Sequence, residues 1–198
     1  MKTLAPRPTR EHTRQRILDK AEELLRHYGP TKTTVADIAA ALEMSPANIY
    51  KFFSSKDALI EAAVVRNIAE VKKNIEAAIA SAPGALARLE ALALTIFRWH
   101  SQYFRHEPQL FELVLTSNIE HWDCVRDFKE FLQQKITEII AAGTQTGDFQ
   151  ISDVGATGRV LIDCLSIVIE PGASPDPENK LTEKRIRALI GFLGRALR

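Results

Sequence analysis

Apolar residues recur every three or four positions along almost the whole chain, which is the spacing of amphipathic α-helices. Prolines, glycines and Ser or Thr capping residues separate these stretches. No stretch shows the strict alternation of apolar and polar residues that is typical of a strand. The pattern predicts about nine helices, at residues 9–28, 35–42, 46–53, 56–82, 85–106, 108–116, 121–146, 152–170 and 183–198. We therefore expect an all-α fold.

Residues 33–59 contain two short predicted helices, a tight turn between them and the start of a third helix. Thr34 and Asp37 have the spacing of a capping box, which predicts a helix that begins at Val35. Ser45 is the expected N-cap of the second helix, and Pro46 suits its first position. This arrangement is typical of a helix-turn-helix, although a plain helical hairpin in an all-α core has the same pattern.

The second helix of this pair combines an apolar inner face with a polar outer face. Ile49, Phe52 and Phe53 are the residues expected to point inward. On the outer face, small residues permit close approach to base edges, and polar or basic side chains suit contacts with bases and phosphates. The outward-facing candidates for DNA contact are Ser45, Ala47, Asn48, Tyr50 and Lys51.

The first 59 positions contain an ordered set of residues, which comprises Arg16-Ile17-Leu18, Ala21, Leu24-Leu25, Tyr28-Gly29, Thr33-Thr34-Val35, Asp37-Ile38-Ala39, Leu42, Ser45, Ile49-Tyr50, Phe53, Lys56 and Leu59. This set resembles the TetR family (TetR/AcrR-like) of bacterial transcriptional regulators. It extends over roughly a quarter of the chain and is specific as a set. The family often has a glycine in the turn where this chain has Glu43, so we expect Glu43 to adopt a left-handed backbone conformation at some cost.

The resemblance implies an N-terminal three-helix, helix-turn-helix DNA-binding domain at residues 1–55. It also implies a helical ligand-sensing and dimerisation domain at residues 56–198, joined to the first by the long helix that begins at Lys56. Thr34 and Lys56 both lie at predicted helix starts, where free N–H groups favour an anion, and the resemblance favours a DNA phosphate. The first helix also approaches phosphate in the family, which adds Arg10, Arg14 and Arg16 as candidates.

The charge distribution agrees with a DNA-binding segment at the N-terminus. Residues 1–56 carry a balance of +4 and the remainder a balance of −3, within a net charge of +1. No apolar run is long enough to span a membrane, and the first residues lack an apolar signal core. Cys124 and Cys164 stand in apolar contexts and are expected to be buried, reduced thiols. A cytoplasmic location is therefore expected.

The body of the chain is rich in aromatic residues, and His100, Tyr103 and Trp122 among them combine an apolar surface with a hydrogen-bonding end. Aromatic residues suit a mostly apolar pocket between helices, although each one alone is more typical of a core. The resemblance implies a ligand-sensing body, and we expect a small apolar or aromatic effector. The candidate ligand contacts are His100, Tyr103, Phe104, Phe111, Trp122 and Phe128.

The last two predicted helices carry more apolar residues than two terminal helices usually need. The resemblance implies that they pack against those of a second copy as a four-helix bundle in a twofold homodimer. A twofold dimer would present two recognition helices to the two halves of a palindromic operator. The candidate dimer contacts are Leu161, Leu165, Val168, Ile186, Leu189 and Leu193, and Gly155, Ala156 and Gly158 would permit close helix approach there.

Sequence motifs of enzymes are missing from this chain. It has no Gly-rich phosphate loop and no GxSxG nucleophile motif. His121 and Cys124 are three residues apart, but no further metal-ligating residues cluster nearby, so neither a metal nor a cofactor is expected. We predict a sequence-specific DNA-binding repressor that a small-molecule effector releases from its operator. The alternative is a ligand-insensitive architectural or interaction protein with the same fold.

Overall fold

The computed structural model describes residues 9–106, 122–170 and 181–198, and these residues form nine helices and no strand. The helices are α1 Arg10–Lys32, α2 Val35–Ala41, α3 Pro46–Ile49, α4 Lys56–Ser81, α5 Ala85–His106, α6 Asp123–Thr146, α7 Val154–Cys164, α8 Ser166–Ile169 and α9 Glu183–Ala196. The predicted all-α class is therefore confirmed. The predicted helix at 108–116 lies outside the described residues.

Helices α1, α2 and α3 enclose an N-terminal core together with the first two turns of α4. All members of this core are apolar side chains removed from water. Their burial stabilises the N-terminal domain, called the head below, at roughly 25 cal/mol per Å² of apolar area buried. Its buried residues are Ile17, Leu18, Ala21, Leu25, Val35, Ile38, Ala39, Ile49, Phe53, Leu59, Ile60 and Ala63. Because Leu59, Ile60 and Ala63 belong to this core, α4 is part of the head before it enters the body.

Helix α1 ends differently from the prediction. Gly29 has φ 81° and ψ 168°, which kinks the helix before a last turn that runs to Lys32. The Thr33 amide and hydroxyl both donate to the Gly29 carbonyl, at 3.1 and 2.8 Å. Tyr28 was expected on the inward stripe but is 53% exposed, because it lies at the kink and on the outer side of the helix.

The body has a separate core built from α4 to α9. Its fully buried side chains include Ile75, Leu89, Leu92, Ile96, Leu132, Ile136, Ile140 and Leu165. The single helix predicted at 152–170 is divided at Leu165 into α7 and α8. Leu165, Val168 and Ile169 have the i, i+3, i+4 spacing of one helix face, and all three are buried in the core.

The predicted dimer contacts belong to the core of their own protomer. Leu161, Leu165, Val168, Ile186 and Leu193 are all buried within one protomer, and Leu189 is half-buried against the same core. Their apolar stripe packs on the rest of the body, and their contact with a second copy stays a prediction.

Gly158 also serves the protomer rather than a dimer contact. A Cβ added at Gly158 would lie 2.6 Å from the Thr137 hydroxyl, so the small residue permits close packing of α7 on α6. The exposed apolar side chains on α7 and α9 are instead Val160 and Phe192, at 59% and 61% exposure.

The two cysteines differ from the expectation that both are buried. Cys124 is buried near the start of α6, and burial raises the pKa of its thiol. Cys164 lies on the outer face of α7 and is exposed. None of the helices in the described part of the chain is both long and apolar enough to cross a membrane.

Candidate nucleic-acid interface

The second helix of the helix-turn-helix, α3, ends at Ile49 rather than at residue 53 as predicted, and it is held to the head by the side chains of Ile49 and of Phe53 in the turn that follows. Ile49 is 1% exposed and Phe53 is 5% exposed. On the opposite side, Ser45, Ala47 and Lys51 are exposed. Tyr50 is 51% exposed, and Asn48 is half-buried. The five outward-facing candidates therefore form one surface, with Asn48 less accessible than the others.

Ser45 occupies the N-cap position of α3, with Pro46 in the first turn as expected. Among the residues described, however, the Ser45 hydroxyl makes no hydrogen bond that caps the helix. The predicted capping bond is therefore wrong, while the predicted start of the helix is confirmed. An exposed hydroxyl that the cap does not use remains a possible partner for DNA.

The turn between α2 and α3 contains the expected strained residue. Glu43 has φ 55°, in the left-handed region that glycine adopts most readily. Its amide donates to the Ala40 carbonyl at 3.1 Å, and the Met44 amide donates to the Ala39 carbonyl at 2.8 Å. These two bonds close the end of α2 and hold the turn despite the strain.

Replacing Glu43 with glycine is expected to stabilise the protein, because it removes the left-handed strain of a side-chain-bearing residue. We expect a gain of about 0.5–1 kcal/mol in the free energy of unfolding, after allowance for the greater freedom of glycine in the unfolded chain. Urea denaturation provides the measurement. The control is Ala40→Gly in the exposed part of α2, which should cost about 1 kcal/mol. A similar loss for both variants would contradict the assignment of strain to Glu43.

The predicted capping box at the start of α2 is confirmed. The Asp37 amide donates to the Thr34 hydroxyl at 3.1 Å. The Thr34 amide and hydroxyl both donate to the Asp37 carboxylate, at 3.0 and 2.6 Å. These hydrogen bonds lower the pKa of Asp37. Both donors of Thr34 are thus directed at Asp37 in this structure, so its immediate role is to position the start of α2.

Lys56 is the first residue of α4 and is half-buried. The preceding Ser55 caps the helix by accepting a hydrogen bond from the Ala58 amide at 3.0 Å. The positive charge of Lys56 therefore stands beside a capped helix N-terminus, where the remaining N–H groups and the helix dipole also favour an anion.

Two arginines of α1 join the surface formed by α3, and the sequence did not distinguish them from Arg16. Arg10 donates to the Lys51 carbonyl at 3.4 Å, and its guanidinium lies 5.8 Å from the centre of the Phe52 ring. The guanidinium of Arg14 lies 5.0 Å from the centre of the Phe53 ring. The spacing of four residues, which places both on one face of α1, was the signal available in the sequence.

In the body, the structure brings together part of the predicted ligand set. The rings of Trp99 and His100 are 4.9 Å apart, and those of Trp99 and Phe128 are 6.0 Å apart. Phe128 is buried in the body core, and Trp122 is half-buried against both cores. The side chains of Tyr103, Phe104 and Phe111 lie outside the described residues.

His100 is neutral and has a defined tautomer. Its Nδ1 lies 3.2 Å from the Val168 carbonyl oxygen, which can only accept, so Nδ1 carries the proton. Removal from water lowers the pKa of His100 to about 4, and the bond to Val168 opposes this shift. The ring is therefore uncharged near neutral pH, and its Nε2 is a hydrogen-bond acceptor.

A groove of about 500 Å³ lies between α6 and the α7–α8 pair. Most of its lining residues are polar or charged, although much of the surface they present is apolar, and an ion pair of 2.9 Å joins Lys129 to Glu170. The lining residues are Arg126, Lys129, Glu130, Gln133, Gln134, Ile162, Asp163, Ser166, Ile169 and Glu170. This groove contains none of the predicted aromatic contacts.

Across residues 9–106, 122–170 and 181–198, no group of three or more His, Cys, Asp or Glu side chains could hold a metal ion. His121, which was considered together with Cys124, lies outside the described residues.

Comparison with known proteins places the N-terminal and the C-terminal parts of the chain in one family. A family model described as bacterial regulatory proteins, tetR family, matches residues 17–63. A second, described as the tetracyclin repressor-like C-terminal domain, matches residues 85–190, a little over half of the chain. The uncharacterized HTH-type transcriptional regulator YvaF of Bacillus subtilis (strain 168) is 42% identical over 59 residues. That match spans 30% of this chain and 30% of YvaF.

Solved structures match over nearly the whole length. A regulatory protein of the tetR family from Rhodococcus RHA1 is 25% identical, with a TM-score of 0.61 over 93% of this chain and 96% of that chain. A transcriptional regulator from Cytophaga hutchinsonii ATCC 33406 is 22% identical, with a TM-score of 0.69 over 92% and 97%. Together with the two family models, these matches confirm the resemblance drawn from the first 59 residues. The chain belongs to the TetR family of transcriptional regulators, which bind DNA through an N-terminal helix-turn-helix.

Proposed function

We propose that this protein is a homodimeric repressor that binds a palindromic operator and is released from it by a small-molecule effector. The observation that carries the proposal is the surface on α3. Buried Ile49 and Phe53 hold the helix to the head, while exposed Tyr50 and Lys51 project from the opposite side. Because the proposed partner is DNA, we place the action of the protein in the cytoplasm.

The proposed roles of the surface residues follow from their chemistry. Ser45, Ala47, Asn48 and Tyr50 are the candidates for contact with base edges, because they are small or carry hydrogen-bonding groups. Lys51 and Lys56 are the candidates for phosphate contact. Arg10 adds a third positive charge beside Lys51. Thr34 acts by holding the start of α2 through Asp37.

The dimer surface that we propose lies on the outer faces of α7 and α9. Val160 and Phe192 are among the most exposed large apolar side chains of the described residues. Burying such side chains against a second copy is favourable, at about 1.5–3 kcal/mol for each fully buried side chain. A twofold axis through this surface would present two α3 helices to the two halves of one operator.

The proposed effector is a small molecule with an apolar or aromatic body. The supporting observation is the aromatic group formed by Trp99, His100 and Phe128. Because Nε2 of neutral His100 is an acceptor, an effector that also carries a hydrogen-bond donor would suit this site. The effector would lower operator affinity by favouring a dimer in which the two heads have the wrong separation.

The proposal is tested by selecting bound duplexes from a random DNA library at a stated salt concentration, because affinity depends strongly on salt. We expect recovery of a palindromic consensus sequence. A consensus without twofold symmetry would contradict the dimeric mode of binding. A folded protein that recovers no sequence above background would overturn the regulator proposal and favour an interaction protein.

The residues proposed to contact bases and phosphates should differ in their effects on the selected operator. Lys56→Ala should weaken binding to all operator variants alike and reduce the slope of log K against log salt by about 1. Asn48→Ala should cost about 1–3 kcal/mol and relax the preference at one base position in each half-site. Binding titrations on a set of single-base variants measure both effects. Lys73→Ala, at an exposed lysine later on α4, is the control and should change neither quantity.

A further inference from the structure

Two neighbouring residues of α4 make polar contacts in opposite directions. Arg66 reaches back to α1 in the head, where its Nη1 lies 2.6 Å from the Asp19 carboxylate. Its Nε and Nη2 lie 2.7 and 2.6 Å from the two oxygens of Glu22. Such a bidentate contact between a guanidinium and a carboxylate restricts the relative orientation of the two groups as well as their distance. Arg66 therefore fixes the position of α4 relative to the head.

The next residue, Asn67, faces the body. Its Oδ1 accepts a hydrogen bond of 3.0 Å from Nε1 of Trp99 on α5. The Trp99 ring lies 4.9 Å from the ring of His100, whose Nδ1 donates to Val168 on α8. Asn67 is thus connected to the aromatic group that we propose as the effector site.

The second tryptophan, Trp122, also lies between the head and the body. Trp122 packs against the N-terminal core and against the body core. Successive residues of a helix are separated by 100°, so Arg66 and Asn67 can engage α1 and α5 at the same time. A rotation or translation of α4 would have to break or lengthen one of these two connections.

We propose that Arg66 and Asn67 are positioning residues that couple the state of the body to the orientation of the DNA-binding head. The inference rests on the proposed function, because it assigns residues to the communication between effector site and operator site. Coupling between two binding sites is reciprocal, so operator bound to the head must alter the body to the same extent that the body alters the head. The coupling can therefore be measured with DNA alone, before any effector is known.

Tryptophan fluorescence supplies the measurement, because the chain contains two tryptophans and Trp122→Phe leaves Trp99 as the single reporter. Saturating the Trp122→Phe protein with the selected operator duplex should change the emission of Trp99, while a scrambled duplex should not. Adding Arg66→Ala should abolish that change. Measurement at saturation separates a loss of coupling from a loss of operator affinity.

Three further variants distinguish coupling from general damage to the fold. Arg187 also contacts two carboxylates, those of Glu90 and Glu183, but it does so within the body. Arg187→Ala should therefore keep the operator-induced change. Asn67→Leu should lose the change and Asn67→Asp should restore it, because aspartate retains an acceptor for Trp99.

A measurement without DNA tests the same connection from the head. Asp19→Asn combined with Glu22→Gln removes the charges that hold Arg66 and leaves α4 unaltered. In the Trp122→Phe protein, this double substitution should shift the emission of Trp99. It also replaces Arg66→Ala as the test if Arg66→Ala does not fold.

The proposal is overturned if operator binds and Trp99 emission does not change, or if Arg66→Ala keeps the change. It is also overturned if the Asp19→Asn, Glu22→Gln variant leaves the emission unshifted. If no operator is recovered, the proposed function fails, and the DNA-free measurement still decides whether head and body are connected through α4.

Discussion

Replacement of Phe192 by aspartate is expected to dissociate the dimer that we propose. The Phe192 ring is 61% exposed on α9, and its only described ring contact with a charged group is with Arg195, whose guanidinium lies 5.9 Å from the ring centre. In a twofold interface each substitution occurs twice, so two buried rings are lost and two carboxylates are placed in an apolar surface. The combined cost should reach about 5 kcal/mol, which corresponds to roughly a thousandfold or greater rise in the dimer Kd.

Sedimentation velocity at micromolar concentration measures this change directly. Val65→Asp is the matched control, because Val65 is also an exposed apolar residue, at 47%, but lies on α4. We expect Val65→Asp to remain dimeric. An unchanged dimer in Phe192→Asp would place the interface elsewhere on the body. Monomeric Phe192→Asp should also lose high-affinity binding to a full palindrome while it retains weak binding to a half-site, since each head remains intact.

Replacement of Gly143 by alanine is expected to destabilise the protomer strongly. A Cβ at this position would lie 2.5 Å from Cδ2 of Phe149 and 2.6 Å from Cβ of Ala85. Phe149 is 3% exposed, and its amide donates to the Gly143 carbonyl at 3.1 Å, so its ring is held over the glycine. The Ala85 Cβ is attached directly to the backbone of α5 and cannot rotate away. Overpacking of this kind should cost about 3 kcal/mol.

Thermal unfolding at matched protein concentration measures this effect, and we expect Tm to fall by roughly 6–12 °C. Gly155→Ala is the control, because a Cβ there would lie 3.6 Å from the nearest atom, Oδ1 of Asp153. That variant should unfold at the same temperature as the parent protein or slightly above it, since alanine favours a helix. Equal Tm values for both variants would show that α5 and α6 can separate without cost.

Gly143 and Gly194 differ in how freely the neighbouring atoms can move, although an added Cβ would come equally close to them. A Cβ at Gly194 would also lie 2.5 Å from a neighbour, but that neighbour is Cδ1 of Leu86, at the end of a flexible side chain. Rotation of Leu86 could relieve this overlap, whereas Phe149 and Ala85 offer no such movement.

Features of the chain that depend on near neighbours were predicted well. The capping box of Thr34 and Asp37 and the left-handed backbone of Glu43 both follow from interactions within a few residues. The long helices were predicted close to their observed bounds, because their apolar periodicity persists over several turns. The capping bond of Ser45 was the local exception, since a suitable residue at the N-cap does not oblige its side chain to form the bond.

Predictions about which partner an apolar face meets were less successful. Leu161, Ile186 and Leu193 have the spacing of a packing stripe, but the same spacing serves a core within the protomer or an interface with a second copy. Likewise, Gly158 permits a close approach, but the sequence did not indicate that the approaching group is Thr137 of α6. The periodicity of a helix specifies that a face is apolar and leaves its neighbour undefined.

The sequence by itself therefore determined the all-α class, the helix-turn-helix and the set of residues that face outward from α3. These properties arise from local caps, turns and periodicity, which act over one or two helical turns. Only the tertiary structure decided which apolar side chains of α7 and α9 are exposed, that Arg10 and Arg14 contact the turn that follows α3, and that Arg66 and Asn67 of α4 contact α1 and α5. Each of these depends on contacts between residues distant in the chain, and such contacts are set by how whole helices pack.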